Sequence, residues 1–544
     1  MSSLRIVSYA INGRGMGHLV RQLAILRWVR RITTLLSVRT EIWVLTSSEA
    51  DTLARREGFP AFKLPSKAML RDAGIEPHRY LALARGWVLN AVAGLSPDLL
   101  LVDTFPGGSF GELVSVLELA KHRVLVARRV RQQFADEDPY QALLPLYERQ
   151  IVPDEGGGGP ILLREREELL PRDDARRQLG VTTDARTVYL TLGGGGDDAA
   201  ASVLPRLTER LRTAGMHVVV GAGPLYQGPE LRGDGVVWMD RYCPMELFPA
   251  FDAAVSAGGY NSFHELMFAG VPTVFMPQPR IADDQRERVH AAQKAGAGRV
   301  AERMDDIVTL LAAPGSADAA RRLVPHNGAK LAALQALTDM LPAADLALAD
   351  QLLGPELIGL FAGSSLKDRE QGFELLRLLL GRTPSERAKH AALWLQWQEQ
   401  GSPASDTAPE RSEFARLLDL FRNKRVPMET AVALVNSLRR KFPAAGSGAL
   451  SEALEVLLPC WGRFEDWGGV ITLMRAVPTQ RSLSIVEFAK RIAEWLAEEE
   501  DLFDALRDFT RVEGSGVHTV DEVLRLLLQL RRERPAGAEA HEAS

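Results

Sequence analysis

Short continuous apolar runs alternate with helix-length amphipathic segments through the first 340 residues of this 544-residue chain. Strands that are buried on both faces are unbroken apolar runs, and the helices between them cover the sheet. The pattern therefore predicts an α/β fold with parallel sheets and helices on both faces. The predicted strands are Arg5–Ile11, Glu41–Thr46, Asp98–Asp103, Arg123–Ala127, Thr187–Leu192, His217–Gly221, Gly235–Met239, Ala253–Ser256 and Thr273–Met276.

The alternation restarts after four consecutive glycines at 156–159. We therefore expect two tandem Rossmann-like domains, 1–170 and 171–338, each binding ligands beyond the C-terminal ends of its strands. Beyond about residue 340 the strand pattern stops, and helical spacing of Leu, Phe and Trp predicts an all-α domain over 345–534. The final segment, 535–544, has the composition of a disordered tail.

Composition narrows the class of protein. Apolar residues make up 46% of the chain and charged residues 25%, which is typical of a globular protein. Two cysteines, Cys243 and Cys460, exclude a disulfide framework and favour a reducing, cytoplasmic compartment. No apolar run approaches the roughly 20 residues that span a bilayer, and the N-terminus lacks the pattern of a signal peptide.

Charge is unevenly distributed along the chain. Residues 1–150 carry 20 Lys and Arg against 14 Asp and Glu, although the whole chain has a net charge of −5. A basic first third favours an anionic acceptor or an anionic membrane surface as partner. No basic run is interleaved with aromatic residues, so nucleic acid is not an expected partner.

The first chemically informative motif is a glycine-rich turn that follows the first predicted strand. Its glycines, which include Gly15 and Gly17, alternate along the chain and are followed by His18 at the start of a helix. Such a turn allows a ligand to approach the backbone, but the spacing differs from that of dinucleotide-binding motifs. His18 is a candidate general base, and the alternative is a histidine that bonds only to its own turn.

Two further glycine-rich turns follow strands in the second half. The run Gly193, Gly194 and Gly195 allows close approach of a phosphate or of the other domain, and the alternative is a flexible turn. The second turn precedes a helix and predicts a diphosphate site, with Glu265 one helical turn further on as acceptor for a ribose diol. A helix cap with a solvated Glu265 is the alternative, and the residues of this turn are Gly258, Gly259, Tyr260, Asn261 and Ser262.

The helix that begins near His18 also suggests a membrane contact. Leu19, Leu23 and Leu26 should pack on the sheet, whereas Arg21, Ile25 and Trp28 share the opposite face. An indole and an isoleucine beside arginines are typical of an interfacial surface, so a peripheral contact with the inner membrane face is expected. The alternative is that a neighbouring helix covers this face.

The motifs together resemble a known family. They are the segments GMGHLVR at 15–21, KLPS at 63–66, VDTFP at 102–106, GGGGD at 193–197 and GGYNS at 258–262. With them, residues 4–335 resemble the GT-B-fold glycosyltransferases of family 28, which include the N-acetylglucosaminyltransferase that forms lipid II. The resemblance is closer to a bacterial group of predicted glycosyltransferases, and it leaves the helical region untouched.

The resemblance implies roles for individual residues. Glu265 would hold the ribose, the turn at 259–262 would face the diphosphate, and the backbone of Arg241 would contact the base. Gln285 would touch the donor sugar, and the next donor contact would fall near 289 or 290. His18 would be the base or would orient the acceptor. Asp103, at the end of a strand, could orient His18, contact the acceptor or cap a turn.

The resemblance implies transfer of a hexose or N-acetylhexosamine from a nucleoside-diphosphate sugar, UDP-linked, to an acceptor hydroxyl. The donor is a substrate, no separate cofactor or metal is expected, and the anomeric centre would be inverted. The acceptor stays open and includes anionic and lipid-linked molecules, and the helical region is a candidate surface for a protein partner. A nucleotide-sugar hydrolase, an epimerase and a nucleotide-sugar-sensing scaffold remain alternatives.

Overall fold

A computed structural model of the protein describes most of the first 355 residues and a few helical segments beyond them. The described residues are 3–11, 15–109, 111–127, 138–153, 158–181, 186–193, 198–223, 226, 228–239, 244–278, 285–355, 358, 428–441, 450 and 452–455. The chain divides into two compact units, Met1–Gly363 and Ser364–Ser544.

The first half of the larger unit is built around a six-stranded sheet with the strand order β3-β2-β1-β4-β5-β6, in which every pairing is parallel. The central strands β1 and β4 are buried because helices cover both faces of the sheet. Its elements are β1 (Leu4–Ala10), α1 (Gly17–Leu35), β2 (Thr40–Thr46), α2 (Thr52–Arg56), β3 (Ala61–Lys63), α3 (Lys67–Asp72), α4 (Pro77–Leu95), β4 (Leu99–Asp103), β5 (His122–Val126), α5 (Asp138–Leu143) and β6 (Arg149–Ile151).

The second half repeats this architecture with a second parallel sheet, of order β12-β11-β10-β7-β8-β9. The two sheets confirm the predicted pair of Rossmann-like folds. The elements of this half are α6 (Arg172–Leu179), β7 (Thr187–Thr191), α7 (Asp198–Thr213), β8 (His217–Val220), β9 (Val236–Trp238), β10 (Ala253–Ser256), α8 (Tyr260–Ala269), β11 (Thr273–Phe275), α9 (Gln285–Lys294), β12 (Gly298–Val300), α10 (Ile307–Leu311) and α11 (Ala317–Leu323).

Two helices follow the second sheet, α12 (Ala329–Leu337) and α13 (Ala343–Leu352), and α12 packs along α1. Burial of the predicted membrane face of α1 overturns the expected membrane contact through this face. The side chains of Arg21, Ile25 and Trp28 are only 2%, 0% and 3% exposed, so they cannot reach a lipid surface. Arg21 binds Asp103 and Trp28 donates to Glu165, so distant parts of the chain help to bury this face. A single-helix pattern carries no information about them.

The predicted all-helical region lies mostly outside the described residues. Within it the structure describes α14 (Met428–Lys441), whose buried residues Ala431, Leu434, Val435 and Leu438 follow helical spacing. The predicted tail at 535–544 lies entirely outside the described residues. In the part of the chain that the structure describes, no helix is long and apolar enough to cross a membrane.

A cluster of buried charges joins α1 to the segment that connects the two sheets. Glu168 Oε1 lies 2.6 Å from Arg27 Nη2 and 2.6 Å from Arg31 Nη2. Arg164 binds both oxygens of Glu57, at 2.6 and 3.1 Å. We call these five residues the buried ion cluster. Burial disfavours ionisation of Glu168, but the arginines outweigh it and hold the pKa of this carboxyl well below its usual range.

Replacing Glu168 by glutamine should destabilise the protein strongly. The change keeps the shape of the side chain, but it removes the buried negative charge that faces Arg27 and Arg31. Breaking one partner of a buried ion pair typically costs about 3–5 kcal/mol. The midpoint of thermal unfolding, followed by circular dichroism, should therefore fall.

The matched control is Glu209→Gln, because Glu209 pairs with Arg212 on an exposed part of α7. Its unfolding midpoint should stay close to that of the wild-type protein. Equal midpoints for Glu168→Gln and the wild type would show that the buried ion cluster does not stabilise the fold.

Candidate functional site

The first part of the site is formed where β1 and β4 end side by side. These strands are parallel neighbours, so the chain that leaves each of them emerges at the same edge of the sheet. His18 lies in the first turn of α1, and Asp103 is the last residue of β4. The structure brings the two together, with His18 Nδ1 2.5 Å from Asp103 Oδ1.

Asp103 is fixed by a second partner, Arg21, which lies one turn after His18 on α1. Arg21 Nε donates to Oδ2 at 2.8 Å and Nη2 donates to Oδ1 at 2.5 Å. Burial opposes ionisation of Asp103, but the charge of Arg21 and the contact with His18 outweigh it and lower the pKa of this carboxyl. An ionised carboxylate only accepts hydrogen bonds, so the Nδ1–H of His18 donates to it. In a neutral imidazole with this tautomer, the lone pair is on Nε2.

Thr104, directly after β4, has a strained backbone. Its φ is +61°, a left-handed conformation that is unfavourable for a β-branched residue, and Phe105 N donates to Asp103 O at 2.6 Å across it. The Thr104 hydroxyl donates to Asp103 Oδ1 at 2.7 Å and accepts from Arg21 Nη2 at 3.0 Å. Such strain persists where surrounding contacts fix the backbone, and it is frequent at functional sites.

The second part of the site is the turn between β10 and α8. Gly258 has a φ of +74°, and a Cβ at this position would lie 2.5 Å from Cγ1 of Val289, so only glycine fits. No side chain caps the start of α8 at Gly259. The first N–H groups of a helix have no partner within the helix, and its N-terminus carries partial positive charge. The structure thus supplies, at Tyr260–Ser262, the geometry of an anion site.

Glu265 lies one turn into α8 and is only 6% exposed. Burial raises the pKa of its carboxyl to about 7, while the charge of Arg164 opposes this shift and that of Glu246 adds to it. The structure shows no hydrogen bond to this carboxyl from any residue that it describes. A ligand that donates hydroxyl hydrogen bonds to such a buried carboxyl would stabilise its ionised form.

The helix α9 packs against the same turn. Gln285, its first residue, is buried, and its Oε1 accepts from Gln278 N at 3.0 Å. Its Nε2 lies 3.9 Å from where a Cβ would stand on Gly259. The resemblance placed the next contact with the sugar donor near position 289 or 290. Val289 is buried against Gly258, and His290 is exposed.

The two glycine-rich turns face each other. The position that a Cβ would take on Gly17 lies 3.7 Å from Nδ2 of Asn261. The helices α1 and α8 therefore bring their N-termini together from the two sheets, while Ser48 Oγ binds Gly15 O at 3.1 Å beside them. His18 and the start of α8 consequently border one cleft, because His18 follows Gly17 directly.

The remaining predicted residues are only partly described. Gly193 directly follows Thr191 and Leu192 at the end of β7, the strand that pairs with β10, and it has a φ of +98°. It therefore lies on the same edge of the second sheet as the turn before α8. Gly194, Gly195 and Arg241 lie outside the described residues.

Three residues that contact the site were missed or misread from the sequence. Arg21 was expected on a membrane face, and Thr104 was only part of a motif. The third is Arg288, whose Nη1 donates to Gly258 O at 3.0 Å. Two sequence signals bore on Arg21: it ends the motif at 15–21, and its helical spacing from His18 places both side chains over the same strand ends.

Known proteins that resemble this chain match it over part of its length. No protein-family profile matches. An uncharacterised glycosyltransferase of Methanopyrus kandleri is 30% identical over 150 residues, which cover 27% of this chain and 39% of the relative. The UDP-N-acetylglucosamine--N-acetylmuramyl-(pentapeptide) pyrophosphoryl-undecaprenol N-acetylglucosamine transferase of Clavibacter michiganensis subsp. michiganensis is 33% identical over 133 residues, or 24% of this chain and 35% of the relative.

Among solved structures, the glycosyltransferase SsfS6 of Streptomyces sp. SF2575, complexed with thymidine diphosphate, is 18% identical. It covers 61% of this chain and 99% of its own, with a TM-score of 0.42. The aligned regions span well under half the length of the two curated relatives above. The two curated relatives thus relate the chain distantly, over part of its length, to glycosyltransferases, which confirms the resemblance found in the sequence motifs.

Replacing Glu265 by glutamine should stabilise the ligand-free protein at high pH. The pKa of Glu265 is about 7 in the folded state against an ordinary value of 4.5. The folded state therefore binds this proton more tightly, and its stability falls as the pH rises from 4.5 to 7. Glutamine does not ionise, so the variant should gain up to about 3 kcal/mol at pH 8 and nothing near pH 4.5.

Urea unfolding of both proteins at several pH values measures this difference. Glu302→Gln is the control, because Glu302 is exposed, and its stability should follow that of the wild type at every pH. A Glu265→Gln variant that is no more stable than the wild type at pH 8 would show that burial does not perturb this carboxyl.

Proposed function

We propose that this protein is a glycosyltransferase that moves a hexose or N-acetylhexosamine from a nucleoside-diphosphate sugar to an acceptor hydroxyl. The observation that carries the proposal is the pairing of His18 with Asp103 opposite the uncapped start of α8. One side of the cleft thus holds a base and the other an anion site. A transfer from a diphosphate leaving group needs both.

The donor would bind to the second sheet. Its diphosphate would lie at Tyr260–Ser262, where the helix N-terminus stabilises the negative charge that grows as the sugar departs. Glu265, one turn further on, would accept hydrogen bonds from the ribose diol. Gln285, beside Gly259, would contact the sugar. Because these groups are suited to stabilise the leaving group themselves, we propose a reaction without a metal ion.

The nucleotide in this proposal is UDP. The Clavibacter relative is named for UDP-N-acetylglucosamine, and the similarity to it supports both the nucleotide and the class of sugar. The cytoplasmic location expected from the two cysteines belongs to the same proposal.

The acceptor would be activated in the first sheet. Nε2 of His18 would remove the proton of the acceptor hydroxyl, and Asp103 would stabilise the imidazolium that forms. Attack from this side of the cleft, opposite to the diphosphate, would invert the anomeric centre. The Phe105 ring, which is 39% exposed and lies 5.7 Å from the His18 ring, offers an apolar surface to the acceptor.

Replacing Glu265 by alanine should weaken binding of UDP by about 1.5–3 kcal/mol, the range for hydrogen bonds to a charged group. Uridine should lose the same free energy, because the ribose is common to both ligands. Isothermal titration calorimetry at pH 8 measures the two affinities, with Glu302→Ala as an exposed control. Unchanged affinity in a folded variant would remove Glu265 from the ribose site.

Replacing His18 by alanine should lower turnover by roughly 10²–10⁴-fold, since it removes the general base. The affinity for UDP should hold, because the donor is bound by the other sheet. Release of free UDP from UDP-N-acetylglucosamine, with or without a panel of acceptors, is the measurement. Wild-type rates in the variant would exclude His18 as the base.

Analysis of the sugar product in the same assay tests the reaction type. A glycoside of the acceptor supports the transferase. Free sugar without acceptor identifies a hydrolase, and a changed sugar that still carries its nucleotide identifies an epimerase.

A further inference from the structure

We propose that Arg288 is a diphosphate-binding residue of the donor site, an inference that rests on the proposed function. Its guanidinium lies against the turn before α8, where Nη1 donates to Gly258 O at 3.0 Å. The centre of the guanidinium is 5.3 Å from the Tyr260 ring and 5.9 Å from the Phe263 ring. Arg288 thus brings a full positive charge to the turn at which the diphosphate would bind.

The geometry of α9 explains this placement. Gln285, Arg288 and Val289 are spaced by three and four residues, so they share one face of the helix. Val289 is fully buried and fills the space beside Gly258. This packing fixes the rotation of α9, and it thereby holds Arg288 over the turn and leaves Arg286 exposed.

A guanidinium at this point adds positive charge beyond that of the helix N-terminus. The helix dipole amounts to roughly half a charge, whereas a departing nucleoside diphosphate carries more than one negative charge. A planar guanidinium binds phosphate oxygens through two parallel N–H groups. The aromatic rings of Tyr260 and Phe263 lie against the guanidinium and help to hold it in place.

The alternative is that Arg288 only braces the turn through the carbonyl of Gly258. The two roles differ in whether they require the positive charge of the Arg288 side chain. Glutamine keeps an N–H donor for the carbonyl but has no charge, whereas lysine keeps the charge. A bracing residue would tolerate glutamine and would affect uridine and UDP alike. A diphosphate-binding residue requires the charge and affects only the ligand that carries phosphates.

Calorimetry with UDP and uridine tests the inference. Arg288→Gln should bind UDP about 10-fold or more weakly and uridine as well as the wild type does. Arg288→Lys should retain most of the affinity for UDP. The loss in Arg288→Gln should shrink in 0.5 M salt, because screening weakens the contact in the wild type. Arg286→Gln, on the exposed side of the same helix, should match the wild type.

The outcomes separate this inference from the proposed function. If the wild-type protein binds neither UDP nor any of TDP, GDP, CDP and ADP in a thermal-shift screen, the proposed donor site is wrong and Arg288 has no such role. If the wild type binds and Arg288→Gln binds equally well, or loses uridine and UDP to the same extent, only the role of Arg288 is overturned.

Discussion

Burial of two arginines in the second half of α1 is the constraint on which the site depends. Arg27 and Arg31 are almost completely enclosed, so each needs a counter-charge. Glu168 faces both of them from the segment between the sheets, and Glu57 also pairs with Arg27. This requirement ties α1 to that segment in one geometry. Since His18 lies at the other end of the same rigid helix, the cluster also sets where His18 meets the second sheet.

The surroundings of two buried carboxyl groups near the site shift their pKa values in opposite directions. Asp103 is buried, yet Arg21 and His18 lower its pKa and keep it ionised. Glu265 is also buried, but burial dominates and raises its pKa to about 7. Arg164, a member of the buried ion cluster, partly offsets this rise. The cluster thus influences Glu265 electrostatically on the proposed donor side, while its contacts with α1 fix the position of the helix that carries His18 on the proposed acceptor side.

The sequence predicted the two sheets well and their edges poorly. All nine predicted strands exist, because each is an apolar run, and all of them except the edge strand β9 are largely buried in the sheet. The three missed strands, β3, β6 and β12, have three residues each, lie at sheet edges and are partly exposed. The membrane face was wrong for a different reason. Periodicity identifies an apolar face but cannot tell lipid from a distant helix of the same chain.

Site residues could be predicted only where one strand end fixes them. His18, Asp103 and the turn before α8 follow directly from buried strands, so their neighbourhood is set by sheet topology. The position of Arg288 depends instead on the rotation of α9, which is determined when Val289 packs against Gly258. That contact joins residues 31 apart and is made possible by a glycine in a left-handed conformation. The same packing that closes the core of the second sheet therefore selects which side chain of α9 faces the turn.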